Sequence, residues 1–323
     1  MSRQEILTYL GGDWDRMLDL IRGSLHSEVA LLEETNGQIL ANSGKLLRPM
    51  ISLLVARAVS GVMTDDSIRY AAATELFHNA TLLHDDVADG SAERRGRPTV
   101  AALLGPSAAV LVGDYWLARA VELIVGTEHC QTAIPVFSRT LTELAEGEML
   151  QLEKAAGADT TEEDYFRIIR CKTASLFNAA AHTAALSVDA PPALLEAACD
   201  FALAFGMAFQ IKDDILDYAG TAELGKPVGV DLRERKITLP LLGALQGSPR
   251  EAEIRAMVRD IPAHPEYCSR ISAFVTERDG ISYAVRGLEE WVGRAEQALS
   301  RFPASPAREA LRTIAQYTVW RKV

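Results

Sequence analysis

The chain has 323 residues, 48% of them hydrophobic and 24% charged, with a formal net charge of −11. An acidic balance of this kind lacks the basic face that a nucleic-acid partner requires, although local cations can still recruit an anionic substrate. Ala, Leu and Glu are abundant, β-branched alternation is scarce, and no Ser/Gly- or Pro-rich linker divides the sequence, so one all-α domain over residues 1–323 is expected.

Residues 13–42 set Met17, Leu20, Ile21, Leu25, Val29 and Leu32 at helical spacing among charged residues, which predicts one amphipathic helix. NSGKLLRP (42–49) then interrupts with Ser, Gly and a terminal Pro, marking a turn. Residues 50–87 are almost wholly apolar apart from a polar patch at Asp65–Asp66 and predict two buried helices, the second ending in LLHDDVADG (82–90). ADGSAERRGRPT (88–99) reads as a charged loop. Helices follow over 107–125, 131–155, 161–187, 191–219 and 237–246, the last two flanking a Gly-rich charged loop, GTAELGKPVGVDLRERK (220–236). The C-terminal third keeps helical periodicity with breaks at Pro262, Pro265, Pro303 and Pro306 and offers no chemistry of its own. No signal peptide opens the chain and no apolar run reaches the length of a membrane span. Cys130, Cys171, Cys199 and Cys268 are scattered without metal-ligand spacing and read as reduced thiols, which predicts a cytoplasmic protein.

The chemistry lies in two acidic clusters, LLHDDVADG and FQIKDDILD (209–217), each with aspartates at i, i+1 and i+4: Asp85, Asp86, Asp89 and Asp213, Asp214, Asp217. On a helix, i and i+4 share one face. Crowded carboxylates disfavour one another's ionisation unless a cation is shared, and hard divalent cations that bridge to phosphate supply that cation. Two such faces opposed across a cavity would form a Mg²⁺–diphosphate clamp. A single DDxxD is more often a solvated acidic face; two copies in apolar contexts are not.

Around them stand Lys45, Arg48, Arg94, Arg95, Lys172, Lys226 and Lys236, with His78 two helical turns before Asp85. Arginine offers phosphate a fork of donors and lysine a compact charge, so the set suits two diphosphates side by side. Singly these residues say little. Arg94–Arg95 could be a solvated pair, His78 a core histidine, Lys172 a helix-surface residue, and Asp114 in GDYW a helix cap as readily as a site residue.

GKLLRP, LLHDDVAD, RRGRPT, GDYWLAR, EGEMLQ, KTASLF, FQIKDDILDY and GKPVGVDLRERKITLP occur in an order by which the chain resembles the trans-isoprenyl diphosphate synthases, from about residue 40 to 245 with a similar C-terminal tail. The resemblance implies an all-α helical bundle around a central apolar cavity, a homodimer, and Mg²⁺ bound by both aspartate sets. It places isopentenyl diphosphate at Lys45, Arg48, His78 and Arg95, and an allylic prenyl diphosphate at Arg94, Lys172, Lys226 and Lys236. Thr173 and Gln210 match residues whose oxygens face the reacting carbons, Gln151 stands at the edge of that site, and Asp231 supports it. Four positions depart from the family pattern. Ser43 stands where glycine is common, Leu46 where arginine is frequent, Gly90 in place of an acidic residue, and Arg235 where glycine is frequent. None removes a metal ligand or phosphate donor.

The activity so implied is condensation of isopentenyl diphosphate with an allylic diphosphate by ionisation, condensation and elimination. Its product would grow along an apolar tunnel beside the helix that ends in Asp85. A helical turn rises about 5.4 Å, comparable with one prenyl unit. Ala80 and Thr81, one turn before the cluster, are small where short-chain members carry bulky aromatics, and Phe77 is the first large side chain beyond them. A long-chain all-trans product, hexaprenyl to decaprenyl, is therefore expected. The alternatives are a medium-chain geranylgeranyl or farnesyl diphosphate synthase, a non-catalytic subunit of a heteromeric synthase, and a terpene cyclase. The second DDxxD and the Lys45/Arg48/His78 set argue against a cyclase.

Overall fold

The computed structural model describes residues 1–219 and 229–320. It is helical apart from one short hairpin among the described residues, as the all-α expectation requires. The chain forms two compact units, one of Met1–Ser138, Ala179–Ala198 and Phe302–Leu311, the other of Arg139–Asn178, Cys199–Arg301 and Arg312–Val323.

In the first unit the single helix expected over 13–42 is two, α2 (Gly12–Ser24) and α3 (Ala30–Ala41), preceded by α1 (Arg3–Leu10). The break has a local cause. Glu33 reaches back from the first turn of α3 to accept the Ser27 backbone N–H at 2.8 Å. Asn36 donates to the Leu25 carbonyl at 2.8 Å, satisfying an acceptor freed at the end of α2. Asn36 also accepts from Trp116 Nε1 at 2.8 Å.

α4 (Leu47–Ser60) and α5 (Asp65–Ala88) are the two predicted buried helices. Thr64 and Ser67 cap α5 reciprocally, and Asp65 and Asp66 in its first turn complement the helix dipole. Its middle is lined with alanines, Ala71, Ala72, Ala73 and Ala80, all fully buried. These let α5 pack closely on α2, α4 and α7 (Pro106–Val125). The predicted loop at 88–99 contains a hairpin, β1 (Glu93–Arg94) paired with β2 (Arg97–Pro98). Arg95 (φ 54°) and Gly96 (φ 72°) form its turn, both with the positive φ that a two-residue hairpin loop demands. α6 (Val100–Leu104) follows, and α8 (Cys130–Gly157) contributes its residues up to Ser138.

In the second unit, α9 (Glu162–Ile169) opens with a Thr161–Asp164 capping box and runs into a π-helical turn, Arg170–Ala174, before α10 (Ser175–Leu186), whose residues from Ala179 on belong to the first unit. α11 (Pro192–Ala219) approaches that turn so closely that a Cβ on Gly206 would lie 2.5 Å from the Ala174 Cα. The short α12 (Val230–Arg233) leads to α13 (Leu239–Leu245), α14 (Glu251–Asp260), α15 (Tyr267–Glu277) and α16 (Gly280–Leu299), and α17 (Pro306–Trp320) ends the described chain. Ile211, Leu232, Leu241, Ile254, Ile271 and Leu288 form the core of this unit.

Contrary to the sequence expectation, residues Pro192–Tyr218 of α11 are long and apolar enough to cross a membrane. Sparse charges interrupt the apolar run yet leave its average high. Over half of its apolar 18-residue window, 56%, is buried inside the protein, as for a core helix.

Candidate active site

Within the first unit, α5 carries its largely apolar lead-in and then Asp85 and Asp86 in its last turn, with Asp89 as its C-cap. The middle aspartate is turned inward. Asp86 is 4% exposed and accepts from Arg94 Nε at 2.7 Å, while Asp85 is half-buried and Asp89 exposed. Burial raises the Asp86 carboxyl above the ordinary aspartate value, and the Arg94 charge and hydrogen bond oppose that shift. The hairpin brings its other arginine to the loop before α4, where Arg95 Nη1 donates to the Asn42 carbonyl at 2.8 Å and the guanidinium lies over Gly44.

His78 sits two turns up α5. Burial holds its imidazole well below the ordinary value, and the charges of Arg48, Arg95 and Arg94 lower it further. Lys45 is exposed in the loop before α4, and Arg48 stands in the first turn of α4. The unit thus brings the predicted Arg48, Arg94 and Arg95 near His78, with Lys45 in the loop that Arg95 reaches. It adds Glu75, which the motifs did not reveal. Glu75 is 5% exposed and accepts from Asn79 Nδ2 at 2.9 Å. Burial pushes its carboxyl up to about 7, against the pull of Arg48 and Arg95.

Ala80 is fully buried, Thr81 donates to the His78 carbonyl at 2.9 Å, and Phe77 stacks on Phe137 with ring centroids 4.9 Å apart. Asp114 is not a helix cap: it lies inside α7, with Oδ1 3.4 Å from His84 Nε2.

Within the second unit, α11 carries Gln210, Asp213, Asp214 and Asp217. Again the middle aspartate is the buried one, at 3% exposure. Tyr165 donates its hydroxyl to Asp214 Oδ2 at 2.7 Å, and Gln210 Nε2 donates to Oδ1 at 2.8 Å. Thr173, on the π-helical turn, donates to Gln210 Oε1 at 2.7 Å. Such turns recur where a helix must re-aim side chains at a site. Burial drives the Asp214 carboxyl well up, helped by Asp231 and Asp213 and opposed by its two hydrogen bonds.

Asp217 accepts the backbone N–H groups of Val230 and Asp231 at 3.0 and 3.1 Å and so anchors the start of α12. Asp231 is pushed up to about 7 by burial and by Asp217, with Lys236 opposing. Lys172 pairs with Glu148, which also accepts from Gln151 at 3.1 Å, and Lys236 pairs with Glu234. Lys226 lies outside the described residues. Tyr165 and Glu148 were not singled out by sequence; the one available signal was Tyr165 at two helical turns before Lys172.

Mg²⁺ keeps several waters and is typically held by one or two carboxylates plus substrate phosphate oxygens. The accessible donors, Asp85 and Asp89 on one helix and Asp213 and Asp217 on another, are all hard oxygens at i and i+4, so the residues fit that ion.

The family model for polyprenyl synthetase matches residues 29–274. The all-trans-nonaprenyl-diphosphate synthase (geranyl-diphosphate specific) of Rhodobacter capsulatus is 39% identical over 312 residues, covering 96% of this chain and 95% of that protein. The crystal structure of a decaprenyl diphosphate synthase from Rhodobacter capsulatus superposes with a TM-score of 0.91 at 36% identity, covering 99% of each chain. A polyprenyl synthase from Caulobacter crescentus CB15, crystallised with calcium and isoprenyl diphosphate, gives 0.90 at 36% identity, covering 100% of this chain and 98% of that one.

Proposed function

The chain belongs to the polyprenyl synthetase family, and from that premise we propose that it is a Mg²⁺-dependent trans-prenyltransferase that elongates an allylic diphosphate with isopentenyl diphosphate to a long-chain all-trans polyprenyl diphosphate. The observation that carries this is the repeated aspartate geometry. In each DDxxD the middle carboxylate, Asp86 or Asp214, is buried and hydrogen-bonded, while the i and i+4 members keep some exposure. Residues 1–323 are taken as one catalytic domain, since the family match runs through segments of both units.

Mg²⁺, held by Asp85 and Asp89 and by Asp213 and Asp217, would neutralise the diphosphate leaving group. We place Asp86 and Asp214 behind these ligands, and both sets serve the same allylic diphosphate. Arg94, Lys172, Lys226 and Lys236 complete that diphosphate's charge balance. Three of them have carboxylate partners, Arg94–Asp86, Lys172–Glu148 and Lys236–Glu234, which hold the cations ordered. Lys45, Arg48, His78 and Arg95 bind isopentenyl diphosphate. His78, held neutral by burial and three arginines, serves as a hydrogen-bond donor without adding charge. Thr173 and Gln210 set the polarity around the allylic cation, and an apolar surround keeps water from it. The C4–C1 bond forms by attack of the isopentenyl double bond, and the proton then lost goes to the departed diphosphate.

We place the growing chain beside α5, where the side chains of Ala80 and Thr81 are small, with the stacked Phe77–Phe137 pair further back. We assign a cytoplasmic location and a homodimer. One face of α7 packs inward, while Val110, Leu111, Val121 and Val125 stay exposed, Leu111 at 68%. An exposed apolar strip of this kind suits a second copy. The test of activity is product analysis with labelled isopentenyl diphosphate and geranyl, farnesyl or geranylgeranyl primers. A C30–C50 polyprenyl diphosphate is expected; no incorporation, or a product stopping at C20, would overturn the assignment.

A further inference from the structure

We propose that Tyr165 and Asp214 are positioning residues that act through Gln210 to fix the hydroxyl of Thr173, so that it offers lone pairs and not a proton to the developing allylic cation. This rests on the prenyl transfer proposed above, and it gives Asp214 a role other than metal ligation.

The four side chains form one directed series within the second unit: Tyr165 OH to Asp214 Oδ2 at 2.7 Å, Gln210 Nε2 to Asp214 Oδ1 at 2.8 Å, and Thr173 Oγ1 to Gln210 Oε1 at 2.7 Å. Gln210 turns its NH₂ to Asp214 Oδ1, which accepts from it. Its carbonyl then faces Thr173, and because a carbonyl only accepts, the single proton of Thr173 is committed there. What remains on Thr173 Oγ1 is acceptor density.

An oxygen fixed in that sense stabilises adjacent positive charge without reorganising, whereas a hydroxyl free to rotate would offer its proton to the same place. The anchor is deep. Tyr165 and Asp214 are each 3% exposed and Thr173 is 8% exposed, with Gln210 half-buried between them. The backbone supports it too: the π-helical turn carries Thr173, and Gly206 admits α11 against the adjoining Ala174.

The experiment compares the wild-type protein with Tyr165→Phe, Asp214→Asn and the double variant Asp214→Asn/Gln210→Glu, using labelled isopentenyl diphosphate, farnesyl diphosphate and Mg²⁺. Circular dichroism and Tm accompany each. Tyr165→Phe removes one hydroxyl and keeps the ring; kcat is expected to fall about tenfold, with both KM values within about twofold of wild type. In Asp214→Asn the new amide donates to Gln210 and inverts its orientation, and kcat falls about a hundredfold. The double variant restores an acid–amide pair in reverse order, with the carboxylate at position 210 accepting from both the amide at position 214 and the Thr173 hydroxyl. It is expected to recover about tenfold of that loss, which loss of a metal ligand would not allow.

If wild type elongates while Tyr165→Phe retains full kcat, or the double variant is no better than Asp214→Asn, the positioning role is wrong and the prenyl transfer stands. If wild type itself does not elongate, the functional assignment fails and this one with it. Should either Asp214 variant fail to fold, the kcat of Tyr165→Phe alone decides.

Discussion

Arg94 donates from Nε to Asp86 at 2.7 Å in one unit, and Tyr165 donates its hydroxyl to Asp214 at the same distance in the other. Two unrelated donors, a guanidinium and a phenol, thus do the same work at the same position of each DDxxD. Both tie down the i+1 carboxylate, and the helix period then fixes where the i and i+4 carboxylates point. The asymmetry between the donors follows from setting. Asp86 is served from a surface hairpin, where a guanidinium can stay partly solvated, whereas Asp214 is enclosed on all sides and is served by two neutral donors.

A consequence for stability follows at Asp214. Asp214→Ala leaves the buried Tyr165 hydroxyl and the Gln210 amide without their acceptor, which costs about 1–3 kcal/mol. Chemical denaturation should show that loss, and Asp213→Ala should show a smaller one. Equal stability of Asp214→Ala and wild type would mean that the buried hydrogen bonds are replaced by others.

Glu75 makes stability depend on pH. Its folded carboxyl is raised to about 7 from an ordinary value of 4.5, so the folded state binds the proton more tightly than the unfolded one. The associated stability is fully present below about 4.5 and is lost as pH rises to about 7, at about 1.4 kcal/mol per unit of pKa difference. Glu75→Gln removes this term. The stability of the variant relative to wild type should therefore rise between pH 4.5 and 7 and level off above, as followed by urea denaturation. A constant difference across that range would show that Glu75 does not change ionisation there.

Ala80 is fully buried one turn before Asp85. Ala80→Phe must place a ring beside α5, and the expected outcome is a shorter product on chromatography, with a stability cost of about 1–3 kcal/mol from overpacking. An unchanged product distribution would mean that the growing chain takes another path.

The apolar strip on α7 bears on assembly. Leu111→Glu puts a charge at a position 68% exposed in the single chain, so it should be tolerated by the fold while shifting the protein toward monomer in sedimentation equilibrium. A monomeric wild type, or a variant that dimerises as tightly as wild type, would assign the strip some other role.

Much of this arrangement could be read from the residues. The aspartate clusters fall at the ends of long helices because their lead-ins are mostly apolar, and the loop arginines and Lys45 could be placed beside a turn from Gly and Pro alone. What escaped was set by tertiary partners. The break between α2 and α3 depends on Glu33 and Asn36 finding backbone groups across the gap, and neither residue departs from an amphipathic pattern. The hairpin at 93–98 has too few residues per strand for any alternation to register. Tyr165 and Glu75 look like ordinary members of their helices until the fold shows them buried beside Asp214 and Arg48. Asp114 was weighed as a cap or a site residue, yet it faces His84 from within α7. The membrane-length character of α11 was missed because a run is broken by single charges that an average absorbs.

The measurement closest to the heart of the account is calorimetric titration of a farnesyl diphosphate analogue that cannot ionise, with and without Mg²⁺, into wild type, Asp85→Ala and Asp213→Ala. One high-affinity equivalent per chain is expected in wild type only when Mg²⁺ is present, and each alanine variant should lose that Mg²⁺-dependent gain by itself while keeping its circular dichroism spectrum. Undiminished Mg²⁺-dependent binding in either variant would contradict the joint hold of both aspartate sets on one diphosphate.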